Sequence, residues 1–248
     1  DDLSRGLGDV YKRQVLEEAF RMAMKKLDRR FGNSLKQLED PLCFAIIGLG
    51  KLGGRELTYH SDLDLIIVHS GKSNASQNDR LLIQEYGVKL IQRTIFLLTT
   101  ITRSGFAYTM DTRLRPSGNA GVLVTPWEVY FKYHRNSQAW EHQALVKGRI
   151  VAGATTQLES KGLIETIGEF SKPGWFQDVE SGIEQAAYEW ETPGDLASQI
   201  HHLRSRKEKE LSAETDKKRN LKEGRGGLLD VEFLTQYLQL VHGRDIPE

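Results

Sequence analysis

Eight residues, Gly54 to Ser61, lie between the glycine run Gly48-Leu49-Gly50-Lys51-Leu52-Gly53 and the apolar segment that opens at Asp62. The run formally satisfies G-x-G-x-x-G and follows Leu42-Cys43-Phe44-Ala45-Ile46-Ile47, which reads as a buried strand entering a tight loop. A dinucleotide-binding crossover must fit a whole helix before the next parallel strand, at least ~10–12 residues. The spacing therefore argues against that fold, and a second strand, Leu63 to His69, follows almost at once. A phosphate-binding P-loop fails as well, because Lys51 lacks the preceding glycine pattern and is not followed by Ser or Thr. Two readings of the glycines stay open: a plain tight turn, or a loop whose bare N–H groups approach phosphate oxygens.

The next residues bear on that choice. In Ser61-Asp62-Leu63-Asp64-Leu65, positions i and i+2 of an extended chain share a face about 7 Å apart, so Asp62 and Asp64 project together while Leu63, Leu65 and Ile67 face a core. Two carboxylates on one face repel, and a dication relieves the repulsion; an all-oxygen donor set selects Mg²⁺ or Mn²⁺. Solvated strand ends carry the same Asp-x-Asp pattern. A third carboxylate, Asp111, stands in a later strand beside Arg113 and Arg115. Three carboxylates holding two cations ~3.5–4 Å apart suit an in-line phosphoryl displacement, with arginines neutralising the leaving phosphates. Taken alone, Asp111 and Arg113 read equally well as a structural ion pair.

Along the 248 residues, helical spacing predicts a helix over 15–31 that stops at Gly32-Asn33, and a long amphipathic helix from Leu82 to Ile101. Alternation of Phe106, Tyr108 and Met110 predicts a strand, with another at 121–124. Thr125-Pro126-Trp127-Glu128 reads as a helix start, Thr as cap and Pro in the first helical position. Helices are then expected at 126–136, 139–151, 156–170, 178–190, 195–214 and 228–242. Strands in the first half and helices in the second give an α+β domain followed by an incomplete helical one, with an N-terminal segment at 1–32, a catalytic domain at 33–155 and a helical domain at 156–248. Asp9-Val10-Tyr11-Lys12-Arg13-Gln14 resembles translated sequencing-adapter read-through, so residues 1–14 carry no weight in the functional reading.

Composition narrows the partners. Lys and Arg number 34 and Asp and Glu 34, so the formal charge is zero, which argues against bulk capture of nucleic acid or an anionic membrane. No apolar stretch approaches the ~20 residues of a membrane span. The single cysteine, Cys43, sits in an apolar run, excludes an intramolecular disulfide and fits a reducing cytoplasm.

Gly53-Gly54, seven residues, then Asp62-Leu63-Asp64-Leu65 resembles the signature of the DNA polymerase β-like nucleotidyltransferases. Gly48 to Leu65 and Asp111-Thr-Arg-Leu-Arg-Pro-Ser-Gly-Asn-Ala-Gly are similar to the bacterial bifunctional glutamine synthetase adenylyltransferase/adenylyl-removing enzymes, as are Trp140-Glu-His-Gln-Ala-Leu-Val-Lys-Gly-Arg and Gly226-Gly-Leu-Leu-Asp-Val-Glu-Phe-Leu-Thr-Gln-Tyr. The likeness runs from about Leu42 to Val241. That family carries two related catalytic domains in a long chain, and the Trp-Glu-His-Gln-Ala-Leu form is more like its carboxyl-terminal, adenylylating half. His60 and Gly148 depart from the usual small residue and Ala.

The resemblance implies a polymerase β-like fold with a small mixed sheet. It implies that Asp62, Asp64 and Asp111 are catalytic and bind Mg²⁺, with Mn²⁺ as an alternative, and that Gly53, Gly54 and Ser61 hold the phosphates of ATP. Arg113 and Arg115 would contact phosphate; Lys147 and Arg149 read rather as helix-surface charges. The implied reaction moves AMP from ATP to a tyrosine hydroxyl of glutamine synthetase and releases pyrophosphate, with phosphorolytic removal of AMP as the alternative direction. Control by the PII signalling protein is implied too. Asp230 and Glu232, in the first turn of an expected helix, suit a structural role at the positive end of the helix dipole.

Overall fold

Two apolar strands, β1 (Cys43–Gly48) and β2 (Leu63–His69), pair antiparallel from Phe44↔His69 to Gly48↔Leu65 and form the middle of the sheet. The computed structural model describes residues 2–57, 61–103, 105–156, 174–215 and 217–245. Leu63, Leu65 and Ile67 of β2 pack with Phe44 and Ile46 of β1 against helices α1 (Asp2–Leu35) and α3 (Gln77–Thr99), through Phe20, Ala23, Tyr86 and Leu90. Each fully buried side chain of this size is worth roughly 1.5–3 kcal/mol. The alternate positions of β2, Asp64, Ile66 and Val68, belong to its other face, and Asp62 immediately precedes the strand.

The chain after β2 adds short strands. β3 (Met110–Asp111) pairs parallel with the start of β2, Leu63↔Met110 and Asp64↔Asp111. β4 (Thr125–Pro126) pairs parallel with its end, at Val68 and His69. On the other side β5 (Arg149–Thr155) pairs antiparallel with β1, with a bulge that leaves Val151 unopposed between Ile46↔Ala152 and Ile47↔Ile150. The sheet order is β3-β2-β1-β5 with β4 beside β2, a small mixed sheet in an α+β fold.

Several local expectations need correction. The helix expected at 139–151 is two elements, α5 (Ala139–Leu145) and β5, because a short buried apolar run at the sheet edge has no periodicity to distinguish it from helix. Strands are therefore not confined to the first half. The strand expected from Phe106 is reduced to Met110–Asp111, and Phe106 stays 55% exposed. Pairing expected at 121–124 falls instead on Thr125 and Pro126, so α4 (Trp127–His134) begins after the proposed cap. Helix α1 exceeds 15–31 at both ends. Gly32 and Asn33 lie inside it, since burial of Phe31 and Leu35 outweighs the ~1 kcal/mol that glycine costs a helix. The helix expected at 156–170 lies outside the described residues, apart from its first position.

Packing divides the chain into one unit of Asp1–Tyr133 with Lys147–Gly182 and another of His134–Val146 with Ile183–Glu248; the division falls within α6 (Gly174–Tyr188). In the second unit α5, α7 (Leu196–Leu211) and α8 (Leu228–His242) bury Ala139, Leu196, Ile200, Leu229, Phe233 and Leu240 together. A capping box starts α5, with Gln138 N–H donating to Glu141 Oε2 at 2.8 Å. Asp230 is structural: it accepts from Gly226 N–H at 2.6 Å and from the Arg204 guanidinium, whose Nη2 also donates to Gly224 O at 2.8 Å. Among the described residues no helix is long and apolar enough to cross a membrane.

Candidate active site

The glycine run folds as a single helical turn, α2 (Gly50–Gly53), between β1 and β2. Leu49 N–H donates to Asp64 O at 2.9 Å, which locks the turn to the start of β2. Gly50 has φ +51°, and a Cβ there would fall 2.5 Å from Asp64 Oδ2. Glycine is required at this position both by the backbone and by the carboxylate lying against it. Gly53 answers a different need, for its missing Cβ would sit 1.9 Å from the Lys147 carbonyl oxygen. A Cβ on Gly54 would fall 2.9 Å from Lys147 Cδ.

Arg149 clamps this turn. Its Nε donates to Gly53 O at 2.9 Å and its Nη2 to Leu52 O at 2.9 Å and Asp9 Oδ1 at 2.7 Å. The reading of Lys147 and Arg149 as helix-surface charges is thus corrected: Arg149 opens β5 with its side chain 18% exposed, and Lys147 pairs with Glu56 at 2.9 Å. The β5 strand was the missing signal, since only its pairing with β1 carries Arg149 to the turn.

The carboxylates meet at the paired starts of β2 and β3. Register places Asp64 beside Asp111, and neighbouring strands lie about 4.8 Å apart. Asp62, two residues before Asp64, accepts from the Thr109 hydroxyl, two residues before Asp111. Arg113 folds back on Asp111: Nε lies 3.0 and 2.9 Å from its two carboxylate oxygens, and the Arg113 backbone N–H donates to Oδ1 at 2.9 Å. This guanidinium holds the Asp111 carboxyl below the usual carboxylate range, against the burial that would raise it. Arg113 in turn is held protonated by Asp111 first, then by the fields of Asp64 and Asp62. One exposed cation therefore answers to all three carboxylates.

The remaining expected residues lie as follows. Ser61 is half-buried immediately before Asp62. Arg115 ties its own loop together, donating from Nη1 to Thr112 O at 2.7 Å and Thr112 Oγ1 at 3.0 Å, and from Nε to Gly121 O at 3.3 Å. The structure thus brings Asp62, Asp64, Asp111 and Arg113 together, sets Gly53 against backbone, and adds Gly50 and Arg149. The donor set, Asp62, Asp64 and Asp111, is all hard oxygen, which in kind fits Mg²⁺ or Mn²⁺. Among the described residues no three ligating side chains converge to coordinating reach, with Asp111 turned on Arg113 and Asp62 on Thr109.

Strand, glycine turn and carboxylate-bearing strand, with a third carboxylate on the neighbouring strand and helices packed on the sheet, make the α+β architecture of a nucleotidyltransferase. The family model described as glutamate-ammonia ligase adenylyltransferase matches residues 2–163, and the chain belongs to that family. Residues 194–247 match a second family model, GlnD PII-uridylyltransferase. The chain is similar to proteins named bifunctional glutamine synthetase adenylyltransferase/adenylyl-removing enzyme. It is 35% identical to that of Hahella chejuensis over 95% of the chain and 23% of the relative, and 34% identical to that of Haemophilus ducreyi over 94% and 23%. Against that of Psychromonas ingrahamii it is 38% identical over 80% of the chain and 20% of the relative. The chain thus spans less than a quarter of the length of these curated relatives.

Proposed function

We propose that this chain transfers AMP from ATP to a tyrosine hydroxyl of glutamine synthetase and releases pyrophosphate. The observation that carries the reading is the in-register pair Asp64↔Asp111, with Asp62 on the same face and Gly50 leaving room for the Asp64 carboxylate. Asp62, Asp64 and Asp111 would hold Mg²⁺, which when bound lowers the charge on the triphosphate and makes its α-phosphorus more electrophilic. The tyrosine oxygen forms a bond to that phosphorus as the bond to the bridging oxygen of pyrophosphate breaks, and the phenolic proton is lost to solvent.

The protein's own groups divide the remaining work. Asp111, its basicity reduced by Arg113, suits the role of an anionic ligand better than that of a general base. Arg113 is exposed and, among the described residues, bonded to the site through Asp111, so it can turn toward the leaving phosphates when cations neutralise the carboxylates. Gly53 and Gly54 close the turn with their N–H groups donated to Leu49 O and Gly50 O, so their part is to keep the turn tight, and Ser61, beside Asp62, would be the phosphate-side group. Arg115 would act by holding the 112–121 loop in addition to any phosphate contact.

The names of the relatives support glutamine synthetase as the acceptor protein, and the match over 194–247 supports a helical region of the kind that accompanies PII-linked nucleotidyltransferases. On this reading PII is a regulatory partner, and the reaction takes place in the cytoplasm. The test is incubation of the chain with α-labelled ATP, Mg²⁺ and glutamine synthetase. Label is expected on the synthetase, with a loss of about 100-fold or more in Asp62→Asn or Asp64→Asn. Phosphate-dependent release of ADP from adenylylated synthetase, without label transfer, would assign the chain to the reverse direction.

A further inference from the structure

An ionised carboxylate offers about four lone-pair sites. At Asp111 all of them are turned on a single residue. Oδ1 accepts the Arg113 backbone N–H at 2.9 Å and shares its Nε–H at 3.0 Å, while Oδ2 shares the same Nε–H at 2.9 Å and accepts from Nη2. Asp62, by contrast, gives one oxygen to the Thr109 hydroxyl. Of the Asp111 side chain 17% is exposed, against 72% of Arg113, so the guanidinium caps the carboxylate from the solvent side. A metal ion needs one of those lone pairs to itself, and Asp111 can ligate one once the cap has left.

An exposed ion pair by itself is weak. Here the pair has support, because Asp64 lies in register beside Asp111 and Asp62 precedes it on the same chain. Arg113 sits in the field of all three negative charges and offsets their repulsion, which is the work a dication does in a loaded site of this kind. Two cations that use the same oxygens exclude each other. A nucleotide changes the balance, since its phosphates offer the guanidinium a second anionic partner of matching geometry.

We infer that Arg113 is a built-in counter-cation of the metal-free site, which withholds Asp111 from Mg²⁺ and releases it when the guanidinium transfers to phosphate. The inference rests on the proposed carboxylate site and adds its regulation: the third ligand becomes available with the nucleotide.

Mn²⁺ binding to the nucleotide-free chain, followed by electron paramagnetic resonance, tests it without reference to AMP transfer. KCl at roughly 0.5 M screens the general field of the arginine but leaves its occupancy of the Asp111 oxygens. Arg113→Ala should bind Mn²⁺ about tenfold more tightly than the wild-type chain, the effect of freeing one charge-assisted contact. Arg113→Lys keeps the charge but loses the two-oxygen fork, and should fall between them. The gain has to run through Asp111, so Arg113→Ala combined with Asp111→Asn should bind Mn²⁺ no better than Asp111→Asn alone. Equal affinity in wild type and Arg113→Ala, or a gain that survives Asp111→Asn, overturns the inference and leaves the carboxylate site standing. No saturable Mn²⁺ binding by any of these chains up to roughly 10 mM, beyond millimolar affinity, overturns the carboxylate reading and the inference with it.

Discussion

At the scale of single residues, the site is built on contacts that one atom can break. Gly50 sits at φ +51° with Asp64 Oδ2 where its Cβ would be. Gly50→Ala should lose about 1–2 kcal/mol in urea denaturation from the left-handed backbone alone. It should also lower the proposed AMP transfer toward the level of Asp64→Asn, because the carboxylate has to move; full transfer would show that Asp64 is not needed where it lies. Arg113 makes a second prediction. The folded Asp111 pKa is depressed, so its stabilising contribution is present above the unfolded value near 3.8 and lost as pH falls through the folded value. In Arg113→Ala the Asp111 carboxyl should titrate at higher pH by ¹³C NMR, and its share of the acid dependence should shrink. Asp62, Asp64 and Asp111 were visible in the sequence as residue types at suitable spacing. That Arg113 rather than Arg115 faces all three was not, because both flank the same strand and only the folded loop gives Arg115 other work.

At the scale of elements, β5 is the part the sequence concealed. Ile150 to Ala154 is buried throughout, so it shows neither the alternation of a half-exposed strand nor the stripe of a surface helix. Its pairing with β1 delivers Arg149 to the carbonyls of Leu52 and Gly53 and to Asp9, in a region the sequence reading set aside. Arg149→Ala should cost about 3–5 kcal/mol in denaturant titration, since it strands a buried carboxylate and uncouples the end of α2. Asp9→Asn keeps both carbonyl contacts of the guanidinium and should cost distinctly less. Equal losses would mean that Arg149 acts through Asp9 alone and not on the glycine turn. The other elements of the sheet centre were legible, because six- and seven-residue apolar runs bounded by glycine or charge admit little but strand.

At the scale of the whole molecule, acid stability follows from histidines buried in each unit. Burial lowers the His69 pKa to about 4 in the first unit, and burial, aided by His142, lowers His134 to about 4 in the second. Both folded values lie below the unfolded value near 6.5, so the unfolded chain takes up protons first. Their stabilisation is complete above pH 6.5 and drains away as pH falls toward 4, on the order of 3 kcal/mol for each. Chemical denaturation across that window should show the slope, and His69→Phe should flatten it measurably, with buried His134 and His142 accounting for the rest; an unchanged slope would place the proton uptake elsewhere. The α+β class and the strand–turn–strand unit were determined by the sequence itself, because eight residues cannot hold a crossover helix and i, i+2 spacing puts Asp62 and Asp64 on one face whatever surrounds them. Tertiary structure alone decided that Asp111 stands in register with Asp64, that Gly50 receives the carboxylate while Gly53 receives the Lys147 backbone, and that Arg149 belongs to a strand. Those outcomes depend on which distant segment pairs with β1 and β2, and register between segments far apart in sequence is set by the burial of the whole sheet rather than by any local pattern.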